Sequence, residues 1–414
     1  MNQQSSAVKV DRAKLEPASA WRPFPLEEYE ARWQRVHDMM QQKGLELLVV
    51  WGKTSGVYER AGDMLYLSNF FSTHSGQEPD TVLWNGRSYS ALIMQPGQVP
   101  ELVTDEAEGR MNVIATDRFS GLYDPIKGVA DAIKKRKVSG KIGFVGTDTL
   151  PMKYWEQIKG YLPNANWVFD DDLIRNVRLV KSPRELDLFR EAGELVTRAH
   201  VAMMEALIAG KKESEAAGLA GKILLEGGGN WHRMPISHGA VSEYLESDPL
   251  TGFSTIAPKQ GDIVHGFIYG PILKGYWLDP GRTAVCGGKP NPEQKKLIET
   301  LVDVMRKLMA EIKPGVSVKK VGELGDKLTE ESGYYNEVLK TNWPYYGHSN
   351  GCMWEAPYIE PRLCTDEDIF LENMVASVEA FYTADGVGTA VFETNFIITK
   401  NGCDEITRTP HLFW

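Results

Sequence analysis

The chain has too few cysteines to build a scaffold on. Cys286, Cys352, Cys364 and Cys403 are spread through 414 residues with no CxxC pair and no zinc-finger spacing. That pattern excludes a disulfide framework or a finger-type zinc site, and a chain of this length buries enough apolar surface to fold without either. The cysteines read as reduced thiols in a reducing compartment. Positive charge is also short: 46 Lys and Arg face 56 Asp and Glu, a net charge of −10. Nucleic acid and anionic membrane surfaces are therefore poor partners. The one basic run, KKRK at 134–137, follows the apolar-patterned VADAI and reads as a solvated helix end. Long hydrophobic runs are missing too. The best, LELLVVW at 45–51, contains Glu46 and is far shorter than the ~20 residues that cross a bilayer. The opening stretch MNQQSSAVKVDRAKLEPASAW has no apolar signal-peptide core. A cytoplasmic protein with no membrane and no nucleic-acid partner is expected.

What is present suits a globular chain of two or three domains, 42% hydrophobic and 10% aromatic. After an N-terminal arm (1–26), residues 27–180 alternate between helical and strand-like segments, the pattern of an α/β domain. EYEARWQRVHDMMQQKG (28–44) places Trp33, Val36, Met39 and Met40 at helical spacing with Gly44 as a stop. LELLVVW follows as a buried strand. TVLWN (81–85), ALIMQ (91–95), ELVT (101–104), IGFVG (142–146) and NWVFDD (166–171) read as further strands. The second domain, 181–414, opens on a long helix with Ser182 as N-cap, Pro183 in the first turn and Glu185 at the capping-box position. Helices over 213–226, 292–311 and 317–332 follow. EGGGN (226–230) lacks the Lys and Ser/Thr of a phosphate loop and reads as a helix exit. His200 falls on the apolar face of the long helix and reads as a packed residue.

Three acids stand out by their surroundings. Asp279 lies in KGYWLDPGRTAVC, which reads as a strand. Glu379 lies inside the apolar MVASVEAFY, and Glu393 inside AVFETNFIITKNG. A carboxylate within an apolar strand is costly unless it is paired or bound to a metal. His348, between glycines in YYGHSNG, supplies the nitrogen that would complete a divalent-cation site.

KGYWLDPGRT, GHSNG, SVEAFY and VFETNFIITKNG resemble, in order and spacing, the motifs of the creatinase, prolidase and methionine-aminopeptidase superfamily. RLVKSPRELDLFREA resembles the linker helix of its two-domain members. The resemblance covers nearly the whole chain. It implies an α+β fold, with a C-terminal pita-bread domain preceded by a smaller creatinase-type α/β domain. It also implies a homodimer.

The superfamily's dinuclear site uses two aspartates, one histidine and two glutamates. Carried over, Asp279, His348, Glu379 and Glu393 are the metal ligands. The first aspartate is missing: counting back from Asp279 reaches Ile268, and counting from the Gly261–Asp262 turn reaches Phe267. His265 and Tyr269 are the nearest substitutes. One divalent ion (Fe, Mn or Zn) is expected, with a metal-free creatinase-like site as the alternative.

Two further departures bear on function. Peptidases of the superfamily carry a histidine seven residues after the ligand histidine, where counting here gives Glu355. Their upstream histidine segment corresponds to SHGAVSEYLESDP (237–249), which offers His238 early and Glu246 near the expected place. The resulting expectation is a metal-dependent hydrolase of a small non-peptide molecule. In it Glu355 is the general base, His348 is in the catalytic centre, and His232, His238, His265, Tyr269 and Trp354 contact substrate. Aromatic residues in these segments could form a cage for an aromatic or cationic substrate. Alternatives are a lyase like the superfamily's dimethylsulfoniopropionate lyase, a metal-free creatinase-like amidinohydrolase, an Xaa-Pro peptidase, and a non-catalytic binding module.

Overall fold

The computed structural model describes residues 8–15, 22–53, 61–72, 88–106, 109–122, 124–239, 246–334, 340–341 and 343–414. The expected strand at 81–85 and part of the 237–249 segment lie outside them. Two compact units, Met1–Arg178 and Leu179–Trp414, divide the chain.

In the first unit the order is α1 (Leu26–Lys43), β1 (Leu45–Lys53), α2 (Ala61–Ser68), β2 (Tyr89–Met94), β3 (Glu101–Thr104) and β4 (Arg118–Gly121). It continues with α3 (Pro125–Arg136), β5 (Lys141–Val145), α4 (Met152–Tyr161), β6 (Asn166–Phe169) and α5 (Asp172–Arg178). The six strands form one mixed sheet in the order β4-β3-β2-β1-β5-β6. On β1, Leu47, Val49 and Trp51 pack toward α3 and α4, while α1 packs against the same strand. Cover on both faces explains why β1 is apolar almost throughout instead of alternating. Gly44 ends α1 in the left-handed conformation, φ +66°, as a C-terminal glycine does.

The second unit begins with α6 (Pro183–Ile208) and α7 (Glu213–Glu226), followed by β7 (Ile236–His238), β8 (Ile263–Phe267), β9 (Gly270–Leu273), β10 (Tyr276–Leu278) and β11 (Gly281–Val285). Then come α8 (Pro292–Glu311), α9 (Val318–Ser332), β12 (His348–Asn350), β13 (Trp354–Tyr358), β14 (Val375–Ala384), β15 (Gly388–Thr399) and β16 (Gly402–Glu405). The expected capping box of α6 is formed: Ser182 Oγ accepts from the Glu185 N–H, and the Glu185 carboxylate accepts from the Ser182 N–H at 2.9 Å. A large antiparallel sheet runs β13-β12-β14-β15-β11-β8-β7, with β16 beside β15. The core lies between this sheet and α8 and α9. His200 is buried on α6, bonded to the Gly266 carbonyl and to Thr409, the packed role expected of it. Asp279 departs from expectation. It is not within one strand but in the break between β10 and β11, where Pro280 has no N–H to continue a ladder.

Gly347, just before β12, has φ +130°, and a Cβ there would stand 2.0 Å from the Ser377 carbonyl oxygen. Gly347→Ala is expected to lower stability by roughly 2–3 kcal/mol, read as a shifted urea midpoint. An unchanged midpoint would mean that β12 can move away from β14 without cost.

Candidate metal centre

Strand periodicity brings the two glutamates together. On β14, Ala376, Val378, Ala380 and Tyr382 pack toward α8, as do Ala390, Phe392 and Phe396 on β15. The odd-numbered residues therefore face the other way. Glu379 and Glu393 are both odd, both buried, and stand directly opposite each other in register. The same row continues through Gly281 of β11 to Phe267 of β8. Like charges placed opposite each other on a sheet repel, so this row needs a positive partner.

His348 and Asp279 close the group. His348 Nε2 lies 3.5 Å from Asp279 Oδ2, 3.6 Å from Glu393 Oε1 and 3.9 Å from Glu379 Oε2. The other ring nitrogen, Nδ1, is 3.1 Å from the Ser349 carbonyl. A carbonyl only accepts, so Nδ1 carries the proton, and the Nε2 of the neutral ring turns a lone pair toward the carboxylates. Glu379 Oε2 and Glu393 Oε1 are buried and meet no hydrogen-bond donor among the described residues. Such atoms are costly unless something positive reaches them. Burial, with Asp279 next to it, pushes the Glu379 carboxyl up to about 8 and Glu393 well above the usual carboxylate range. Asp279, His348 and Glu393 offer ligand atoms within 4.8 Å of one another, with Glu379 Oε2 3.9 Å from the ring nitrogen, a donor set that fits a single divalent cation of the Fe, Mn or Zn kind. Asp279 is held by amides: Asn395 Nδ2 donates to Oδ1 at 2.5 Å, and Asn350 Nδ2 lies 3.3 and 3.2 Å from its two oxygens.

The missing first aspartate leaves a filled position. Phe267 lies against Gly281, where a Cβ would come 2.2 Å from the ring, and its ring stacks on Phe381 with centroids 5.8 Å apart.

The expected substrate residues divide into two groups. Trp354 meets the His348 ring at 5.8 Å, Tyr269 meets Trp354 at 5.0 Å, and His232 meets Tyr269 at 5.7 Å. These three form an aromatic wall that starts at the metal-facing histidine. Tyr345 and Tyr358 cover the same ring at 5.9 and 6.0 Å. His265 shares the face of Phe267 two residues away on β8, and its Nδ1 bonds the Thr389 carbonyl at 3.2 Å. His238 is placed elsewhere. It pairs with Val264, on the opposite face from His265 and Phe267, and its Nδ1 is 2.5 Å from Glu213 Oε1. Glu246 bonds Arg233 Nη2 at 2.6 Å.

Glu355 is not the open base that counting along the chain suggests. Asn350 faces the site and pairs with Trp354, so Ser349 and its partner Glu355 point to the other face of the sheet. There Lys181 Nζ donates to Glu355 Oε1 at 2.9 Å, and both side chains are 1% exposed. Lys181, Tyr358, Asn350 and Asn395 were not singled out from the sequence. For the asparagines a signal existed, since each lies two residues beyond a ligand and so on the same strand face. Lys181 pairs with a residue 174 positions away, and nothing local announces it.

A buried carboxylate–imidazole centre on an antiparallel sheet, walled by aromatic rings, suits a metal-dependent hydrolase. The chain belongs to metallopeptidase family M24, whose sequence model matches residues 187–400. It is 27% identical over 313 residues to the Xaa-Pro dipeptidase of Pyrococcus horikoshii, covering 75% of this chain and 83% of that protein. The crystal structure of the prolidase from that organism matches with a TM-score of 0.73 at 21% identity, over 92% of this chain and 99% of the other. Dipeptidase PepE from Mycobacterium ulcerans matches at 0.75 and 22% identity, over 94% and 99%. These likenesses give the two-domain pita-bread fold. The relatives are named as peptidases, so nothing in them supports the expected non-peptidase standing.

Two outcomes follow from the charges. A carboxyl whose folded pKa is raised binds its proton more tightly in the fold than in the unfolded chain, so stability is lost as pH rises. For Glu379 the loss spans 4.5 to about 8. The melting temperature of chelator-treated protein should fall across that window, fall less in Glu379→Gln, and flatten when Mn(II) is added. A metal-free profile that rises there would show that the carboxylates do not crowd one another. Separately, Glu355→Gln strands a buried ammonium and should cost about 3–5 kcal/mol in urea unfolding. Unaltered stability with lost turnover would return Glu355 to the role of base.

Proposed function

We propose that the chain hydrolyses the peptide bond of a short Xaa-Pro-type substrate, at a centre where Asp279, His348, Glu379 and Glu393 hold one divalent cation. The observation that carries this reading is the convergence of three buried carboxylates on His348 Nε2 at 3.5–3.9 Å. It is supported by membership of a metallopeptidase family and by the likeness to an Xaa-Pro dipeptidase. A small non-peptide substrate fits less well, because that reading asked Glu355 to act as base, and Glu355 is engaged by Lys181 on the other face.

A bound cation supplies Lewis acidity and lowers the pKa of a coordinated water. The side chains supply the rest. The Nδ1 proton of His348, fixed on the Ser349 carbonyl, keeps the Nε2 lone pair in one orientation. Trp354, Tyr345 and Tyr358 pack round that ring and keep water from it, which strengthens each electrostatic interaction beside it. With a cation held, Glu379 is ionised as a ligand must be, and its carboxylate would be placed to take a proton from water and give it to the leaving nitrogen. The aromatic wall from Trp354 to Tyr269 offers the apolar pyrrolidine of a proline residue a surface to pack on.

Protein loaded in turn with Mn(II), Co(II), Zn(II) and Fe(II) should cleave at least one Xaa-Pro dipeptide or proline-second peptide. His348→Ala should lower that rate about a hundredfold or more, since even an outer partner of a ligand is worth ~10–100-fold. Protein that binds metal yet cleaves none of these peptides would return the substrate to the non-peptide class.

A further inference from the structure

Asp279 is the ligand with no strand of its own, placed between β10 and β11 and followed by Pro280. What fixes its carboxylate comes from its neighbours. Asn350 lies two residues beyond His348 on β12, and Asn395 two beyond Glu393 on β15, so each shares a face with a ligand of its own strand. Both are fully buried. Asn395 grips Asp279 twice: its Nδ2 donates to Oδ1 at 2.5 Å, and its Oδ1 accepts from the Asp279 N–H at 3.1 Å. Asn350 Nδ2 adds bonds to Oδ1 and Oδ2 at 3.3 and 3.2 Å. The main chain of Asn395 is itself held, its N–H on Thr407 at 2.8 Å.

The geometry points to Asn350 and Asn395 as an amide clamp that ties three of the four ligand-bearing segments together and makes Asp279 a one-oxygen ligand through Oδ2. An ionised carboxylate offers about four lone-pair sites. The two amides take both on Oδ1 and one on Oδ2. The site that remains is on Oδ2, the atom 3.5 Å from His348 Nε2. Neutral donors suit this task. A lysine or arginine in their place would orient the carboxylate equally well but would cancel the charge that attracts a cation. Both asparagines are therefore positioning residues that act through Asp279.

This inference rests on the metal reading of the site, and its test separates the two. Mn(II) alone is titrated calorimetrically into chelator-treated wild type, Asn350→Ala and Asn395→Ala, and the visible spectrum of each Co(II)-loaded protein is recorded. Each variant should bind Mn(II) ~10–100-fold more weakly, with shifted cobalt bands as Asp279 leaves its one-oxygen geometry. In an Asp279→Asn background, Asn395→Ala should add no further loss. Should Asn395→Ala fail to fold, Asn350→Ala, which removes the longer bonds, gives the same reading. Wild-type affinity in the variants, or weaker binding with unshifted cobalt bands, would overturn the clamp and leave the metal site standing. No uptake of Mn(II) by the unaltered protein would overturn both.

Discussion

The second unit is organised round a repulsion. Glu379 and Glu393 stand opposite each other on adjacent strands, buried, with Asp279 beside them. Alone, that arrangement opposes folding. A single cation held among them would turn that repulsion into attraction, because a low dielectric magnifies both signs of interaction. The imidazole of His348 would supply the one ligand that adds no charge.

Much of the surrounding structure holds this arrangement still. Arg282, buried at the start of β11, donates to the carbonyls of Gly281, Glu393 and Thr409 and to Thr394 Oγ1. It thereby fixes the backbone on which Glu393 sits and joins it to the C-terminal segment. His200 links that segment to β8 through Thr409 and the Gly266 carbonyl. Gly193 of α6 comes so near the Ile406 carbonyl that a Cβ would stand 2.3 Å from it. Helix, tail and sheet are thus tied together behind the ligands, and a site held by backbone contacts on several elements keeps its geometry.

The centre was legible in the sequence because burying carboxylates in apolar strands is expensive, and three such acids with one glycine-flanked histidine mark themselves. Two of the helices were legible through their ends, α1 by the Gly44 stop and α6 by the Ser182 cap. The face of β13 was not. Counting from His348 gave Glu355 the site position, but β12 and β13 pair even-numbered residues with even-numbered ones, His348 with Tyr358 and Asn350 with Trp354. Side chains alternate along a strand, so Trp354 shares the face of the histidine and odd-numbered Glu355 faces Lys181. The expected non-peptide chemistry leaned in part on that position, beside the missing first aspartate and the displaced upstream histidine. The break at Asp279 was half legible, since Pro280 indicated an interrupted ladder without saying that the strands on either side belong to different sheets.

The claim on which the rest depends is that Asp279, His348, Glu379 and Glu393 together hold one cation. Anomalous diffraction from crystals grown with Mn(II), collected on either side of the manganese edge, tests it most directly. The expected result is one peak per chain, surrounded by those four side chains, with none beside the Phe267 ring. No peak among them, or a second of comparable height next to Phe267, would contradict it.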